Sequence, residues 1–322
     1  MRMRRLMILA VLCLWAVPAA AQLAGRVAVI YPEGQPTVQM WRRFAERVRE
    51  AGVNLQVVPG GQLGGEREVA EGMRLGSIQA ADNTLASLSA WVPEGQVFDF
   101  PYVFRDLGHI ERVMAGPIGE RFKGLYAAQG FRVLGYIVYG PRNLVSRTAI
   151  ERPEDLRGRP MRVIQSPLHI QLWRALGANP TPIPITEAYG ALETGVVSLM
   201  DMTADGFEAL RLYEVAPHYV ETNHIWSVGA FIIASRFWAR LSADQQRAFT
   251  AAAADATAFF NALQARFQSE ALARAVTRGA RVVRPDPVLW QTTTRRRLEE
   301  ETNRLGGMSP TDAMVNAIIS TP

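Results

Sequence analysis

Apolar and polar positions along this chain switch repeatedly between a period of two and a period near three and a half. RVAVIYP (Arg26 to Pro32) alternates like a strand, and Thr37 to Ala51 has helical spacing closed by Gly52. NLQVVPGGQLGGEREVAEGMRLGSIQAAD then predicts a strand, a glycine-rich loop, a helix and a further strand ending at Asp82, Asn83 and Thr84. Residues 107 to 130 predict a helical piece around GPIGERF. A long strand, FRVLGYIVYG, follows, with Gly140-Pro141-Arg142-Asn143 at its end. Strands alternating with helices at this spacing indicate βαβ units and a largely parallel sheet.

MRVI, a short β-branched run with Arg162 inside it, predicts the next strand, and Gln165-Ser166-Pro167 a turn. Leu168, Leu172 and Leu176 lie on one side of a helix that Gly177 ends. NPTPIPI is too proline-rich for anything but an extended crossing segment, and a second helix starts near Thr186-Glu187 with Tyr189, Leu192 and Val196 on it. Val228 to Ala234 reads as a strand returning to the first sheet. Ser242-Ala243-Asp244-Gln245 is a capping box, and neither proline nor glycine interrupts Leu241 to Arg278. One helix there would run roughly 50 Å, longer than a small domain; two helices with an unmarked bend are the alternative. A short strand, RVVRP, and closing helices complete the chain.

The amino terminus changes this picture. MRMRRLMILAVLCLWAVPAAAQ has three arginines, a short apolar core and small residues at Ala19 and Ala21, the pattern of a secretory signal peptide cut after Ala21. An uncleaved membrane anchor is the weaker alternative, because the run is short for a bilayer span. Cys13, the only cysteine, lies in this segment, so the exported chain would have no disulfide and no thiol chemistry. Without residues 1–21, 32 basic side chains face 30 acidic ones. That balance does not argue for nucleic acid and is compatible with a small anionic ligand.

Catalytic and metal signatures are absent. The histidines at 109, 169, 218 and 224 are scattered, with no pair at metal-ligand spacing, and no cofactor is implied. GGQLGGE lacks both the Gly-Lys-Ser/Thr of a phosphate loop and the order of a dinucleotide loop. No nucleophile elbow or zinc-protease motif appears. The unusual residue is Arg162: a guanidinium stays charged in proteins and presents a planar fork for a carboxylate, so a buried arginine needs an anion. The pattern alone leaves open a structural carboxylate, escape to the surface, or a ligand.

Arg162 stands in a longer signature. Pro160-Met161-Arg162-Val163, Gly177-Ala178-Asn179-Pro180-Thr181-Pro182 and Thr186-Glu187-Ala188-Tyr189-Gly190-Ala191-Leu192-Glu193-Thr194-Gly195-Val196-Val197 stand in this order along the chain. With GGQLGGEREV and the Phe98-Asp99-Phe100-Pro101-Tyr102-Val103-Phe104 segment, this resembles the substrate-binding proteins of tripartite ATP-independent periplasmic (TRAP) transporters, the C4-dicarboxylate and sialic-acid binders. The resemblance implies an α/β, two-lobed periplasmic binding protein fold (type II-like), each lobe a mixed sheet flanked by helices, with the long helix spanning both. Lobe I would comprise residues 22–139 plus 227–258, lobe II residues 140–226 plus 259–322, with the ligand cleft between them. It also implies hinge closure around a small organic acid anion and delivery to the membrane permease subunits of a TRAP transporter. A sensor for a chemoreceptor or kinase, or an enzyme using the cleft, are the rival readings.

Residue by residue, Arg162 matches the family arginine that pairs with the ligand carboxylate. Arg142 matches a second arginine, or is an exposed loop residue. Gln165 falls at a polar contact, and Ile185 at a position that packs on the ligand. Asn223 and His224 lie near the cleft or form a satisfied loop pair. Asp201 stands for the family's glutamate, and Met202 for an asparagine that bonds the carboxylate. A thioether cannot donate that bond. Either Thr203 or a water replaces it, or the ligand is less polar, such as a monocarboxylate with an apolar or aromatic body. From the first lobe, Asp82, Asn83 and Thr84 face the cleft, and Trp91 or Trp226 would stack on a ring.

Overall fold

The computed structural model describes residues 23–309 and 312–322; the signal segment at residues 1–21 lies outside them. The elements in chain order are β1 (Leu23–Ala28), α1 (Pro36–Glu50), β2 (Val53–Val58), α2 (Glu66–Leu75), β3 (Ala80–Thr84), α3 (Leu107–Ala115) and α4 (Pro117–Ala128). There follow β4 (Phe131–Ser146), β5 (Pro160–Val163), α5 (Pro167–Ala175), β6 (Asn179–Pro182), α6 (Ala188–Glu193), β7 (Leu199–Met202) and α7 (Ala204–Ala209). The last are β8 (His218–Ala234), α8 (Ser235–Trp238), α9 (Ala243–Thr277), β9 (Arg281–Val283), α10 (Pro287–Leu305) and α11 (Ala313–Ile319).

The strands form one mixed sheet in the order β2-β1-β3-β8-β4-β7-β5-β6, with β9 also paired to β8. Its spine is the antiparallel pair β4/β8, which runs from Phe131↔Ala234 to Ser146↔His218. At one end of this ribbon β3 joins β8 through Ala80↔Ile233 to Thr84↔Gly229, bringing β1 and β2 with it. At the other end β7 joins β4 through Asn143↔Met202 to Ser146↔Leu199, followed by β5 and β6, and β9 pairs with the start of β8. Each end therefore has its own parallel strands, and the ribbon is shared.

The ribbon is irregular where the two ends meet. Between Arg142↔Ile225 and Leu144↔Val220, residues 221–224 of β8 stand opposite Asn143 alone. This bulge ends pairing locally and re-aims side chains. Asn143 holds it by accepting from the Asn223 backbone N–H at 2.8 Å, and Asn223 takes a left-handed φ of 45°. Both strands exceed their predicted extents: β4 continues through Gly140-Pro141-Arg142-Asn143 to Ser146, and β8 begins ten residues before Val228. Proline and glycine suggested a strand end at 140; a proline is tolerated because it sits between two register shifts.

α9 is one unbroken helix of 35 residues, about 52 Å long, and the alternative of a bend is not observed. The Ser242 hydroxyl accepts from Gln245 N–H while the Gln245 side chain accepts from Ser242 N–H, as the capping box predicts. Its first half buries Phe249, Ala252, Ala253, Ala256 and Phe260, and Asp255 pairs with Arg43 of α1 at 2.6 Å. Its second half reaches α7: the Gln264 and Gln268 amides donate to the two Asp205 carboxylate oxygens (2.7 and 2.6 Å) and to Tyr139 O (2.8 and 2.7 Å). Gly140, at φ 119°, lets the Gln268 side chain approach to a distance a larger residue would contest.

Other boundaries shifted for local reasons. The helical piece at 107–130 is two helices, broken at Gly116-Pro117. The proline-rich crossing segment pairs as an edge strand, β6 on β5, where missing N–H groups face outward. After a single turn at Ile185–Glu187, α6 ends at Glu193, so Val196 lies beyond it and is 62 % exposed. A second, smaller apolar cluster around Met161, Leu172, Trp173 and Trp290 fills the β5–α5 end of the molecule. Among the described residues no helix is long and apolar enough to cross a membrane.

Candidate functional site

β5 is four residues long and buries Met161, Arg162 and Val163. Arg162 is 3 % exposed, and its Nε donates to Ile183 O at 2.8 Å. Among the described residues no carboxylate lies within 4.0 Å of it, so none of them answers its fork with an ion pair. Burial, and then repulsion from Arg142, push its pKa down to about 10. It lines a cavity of about 490 Å³, partly open to solvent, where β4, β5 and β7 approach the ends of β1 and β3.

Arg142 reaches the same cavity from β4 and is also buried, against the reading of an exposed loop residue. Its surroundings differ. Its Nε donates to Asp201 Oδ2 at 2.6 Å and its Nη2 to Asp201 O at 2.9 Å. Burial alone would lower the Arg142 pKa; the Asp201 charge outweighs it and holds the group above its ordinary value. For Asp201, burial works upward, and Arg142 with His224 holds the carboxyl well below the usual range. The β8 bulge brings His224 Nε2 to 3.3 Å from the same oxygen. Burial keeps His224 below its ordinary pKa, so as a neutral ring it donates to Asp201 and accepts the Thr222 hydroxyl at 2.8 Å.

Met202, Thr203 and Ile185 line the cavity as expected, and so does Thr84. The Met202 side chain folds over Gly206 of α7, where an added Cβ would lie 2.0 Å from its methyl carbon and 3.0 Å from the Tyr31 hydroxyl. Several predicted residues lie elsewhere. Asp201 and His224 support Arg142 from behind and do not line the cavity. Asn83 is buried on the opposite side of β3, donating to Glu66 O and Ser87 Oγ. Asn223 is exposed in the bulge. Gln165 lines a separate, outer groove with Arg67, Ser89 and Arg174. Trp226 packs on the main core, and Trp91 meets Phe131 edge-on at 5.5 Å in a different surface groove. Neither indole faces the cavity.

The opposite wall holds Asp82, as expected, and three residues outside the predicted set: Tyr31, Glu66 and Tyr139. Tyr31 follows β1, Glu66 opens α2, and Asp82 and Tyr139 come from β3 and β4. Asp82 is 5 % exposed; its two oxygens accept from Trp41 Nε1 (2.6 Å) and the Tyr139 hydroxyl (2.7 Å). Burial, opposed by these bonds and reinforced by the Glu66 charge, pushes its pKa up to about 6. Of the three residues expected to face the cleft, strand parity puts Asp82 and Thr84 on one face and Asn83 on the other. Glu66 is the glutamate of the GGQLGGE segment, so the resemblance contained it. Tyr31 and Tyr139 had no such signal.

A family profile for bacterial extracellular solute-binding proteins, family 7 (DctP), matches residues 27–300. The chain belongs to this family. It is 32 % identical over 242 residues to a solute-binding protein of Roseobacter denitrificans, covering 74 % of each chain. The crystal structure of a TRAP periplasmic solute-binding protein of the same organism, with bound L-galactonate, superposes with a TM-score of 0.86 at 27 % identity, covering 93 % of this chain and 99 % of that one. One from Sulfurospirillum deleyianum, with bound succinate, gives 0.86 at 25 % identity, covering 94 % and 100 %. The two-lobed fold of these TRAP binding proteins is thus shared by this family 7 chain, and family members are substrate-binding transport proteins.

Proposed function

We propose that this chain is the extracytoplasmic solute-binding protein of a TRAP transporter, taking a small organic carboxylate between its lobes without transforming it. Arg162 carries the reading: a guanidinium 3 % exposed, in a cavity wall, with no acid among the described residues within 4.0 Å. Burying an unpaired charge is costly, and a ligand carboxylate in bidentate contact offsets that cost. Arg142 adds positive potential but is already matched by Asp201, so it orients more than it binds. Lobe I would be residues 22–139 plus 227–258 and lobe II 140–226 plus 259–322, hinged at the β4/β8 irregularities and tied by α9. A ligand touching both lobes favours the closed state by its differential contacts. Export would follow cleavage after Ala21 into the periplasm, and the closed form would dock on the membrane permease subunits.

The test is a thermal-shift screen of the exported chain against organic acids, repeated on Arg162→Ala. A ligand that binds the native state raises Tm with the logarithm of its excess over Kd. One class of acid should stabilise the wild type and not the variant. Stabilisation that survives the loss of Arg162, or turnover of the bound acid, would overturn the reading.

A further inference from the structure

The first turn of α5 is held by residues from a distant part of the chain. In the 3-10 segment Pro93–Asp99, Gln96 Oε1 accepts the Leu168 N–H at 2.7 Å, one of the donors that a helix start leaves without a partner. The next residue, His169, is fully buried. Its Nε2 lies 2.8 Å from Asp99 Oδ2, and its Nδ1 lies 4.0 Å from Asp201 Oδ2, an ion-pair separation rather than a hydrogen bond. Asp99 is equally buried, and among the described residues its other oxygen has no hydrogen-bond partner. Three forms of the ring can stand between these two acids. A neutral ring protonated at Nε2 turns the Nδ1 lone pair toward Asp201. One protonated at Nδ1 sets the Nε2 lone pair against Asp99, which holds only if Asp99 takes up a proton; imidazole, the stronger base, would take that proton itself. The imidazolium alone presents a donor to Asp99 and a positive charge to Asp201. Without it Asp99 is a buried carboxylate with no cation, which is costly.

We propose that His169 is a buried imidazolium that ties the two lobes together, with Asp99 of lobe I on one ring nitrogen and Asp201 of lobe II facing the other, so that the junction tightens or loosens with protonation. This rests on the lobe boundaries given above and not on what the cavity binds. Charges then alternate from lobe I to the cavity wall: Asp99, His169, Asp201, Arg142. The tie is present while the ring is charged and is lost as pH rises and the ring gives up its proton. Asp99 is then left unanswered, and Asp201 keeps only its contacts to Arg142 and His224. The neighbouring groups do not substitute for it. His224 of β8 is neutral, mainly through burial, with the Arg142 and His169 charges acting in the same direction. β6 brings no titratable side chain to α5, Arg162 of β5 lines the cavity, and Glu301 of α10 pairs with Arg304 at 2.6 Å.

The experiment is nitrogen NMR of the chain from residue 22 to 322, labelled at histidine, as wild type, His169→Gln and Asp99→Asn. At pH 7.5 the wild type should show a histidine with both ring nitrogens protonated, and that signal should be missing from His169→Gln. Asp99→Asn should convert it to a neutral ring, because the acid that demands the charge is gone. Should His169→Gln fold poorly, Asp99→Asn identifies the same signal. Residues 22–322 contain no cysteine, so spin labels on Leu75→Cys and Val196→Cys, exposed positions in lobe I and lobe II, report the separation of the lobes without interference. The distance distribution should be narrow at pH 6.5 and broaden on titration to pH 10; in His169→Gln it should be broad at both. A neutral His169 at pH 7.5 would overturn the proposal, and so would lobe distances in His169→Gln that match the wild type at both pH values. Either result leaves the Arg162 carboxylate site standing, and a failed acid screen leaves the His169 tie standing.

Discussion

Two strands of one sheet carry a buried arginine to the same cavity, and their surroundings are opposite. The β4 region gives Arg142 a carboxylate and a backbone carbonyl, and that carboxylate also accepts from a neutral histidine carried by the β8 bulge. The β5 region gives Arg162 one carbonyl and no charge. Identical side chains at almost equal burial thus have different duties. An arginine paired by its own protein is a structural element whose removal strands its partner. One that is left unpaired is a site held ready for an anion, because the fold tolerates its desolvation without using it.

Removing Arg142 should break the comparison most severely. Arg142→Met leaves Asp201 buried and uncompensated, which costs about 3–5 kcal/mol; we expect a Tm fall of roughly 6 °C or more by calorimetry. Adding Asp201→Leu should recover most of that loss, since a buried pair replaced by apolar residues is often neutral. A double variant as unstable as the single one would mean that the pair has further structural duties. Arg162→Ala should do the reverse, lowering affinity for the bound acid about a hundredfold while leaving Tm unchanged or higher.

The acids sharpen the contrast through pH. Asp82 has a folded-state pKa raised to about 6, above its unfolded value, so the native state binds more protons between about pH 4 and 6 and stability falls as pH rises through that window. Asp201 is depressed, so its contribution is present above the unfolded value near pH 4 and lost in stronger acid. Asp82→Asn should therefore remove part of the decline in Tm from pH 4.5 to 6.5, measured as the difference from wild type. A parallel pair of profiles would contradict the assigned shift. The smallest effect is expected at Gln165→Ala, within about twofold in affinity, because its side chain lines the outer groove and not the cavity.

Much of the fold was legible because its signals are local. The Ser242–Gln245 box, the Gly177 stop and the uninterrupted run after Leu241 each act within a few residues, and α5 and α9 appear where these place them. β4 and β8 were read short because their continuation depends on pairing with each other across the proline and the bulge, a contact far apart in sequence. The site divides the same way. Arg162 stood out because an arginine among β-branched residues violates the local pattern. Asp201 and His224 carried the right chemistry and were assigned the wrong place, since only the 221–224 bulge turns His224 onto Asp201 behind Arg142.

From the residue order alone come the alternation of strands and helices, the caps, the family signature and a charged group that a strand interior does not ordinarily hold. These follow from backbone preference, periodicity and side-chain chemistry, which operate over one turn or one strand. Which arginine is neutralised, which acids face it, and that neither indole reaches the cavity were decided by the tertiary structure. Ion pairing and desolvation depend on distances between β1, β3, β4, β5 and β7, and those are set by the order of strands in the sheet.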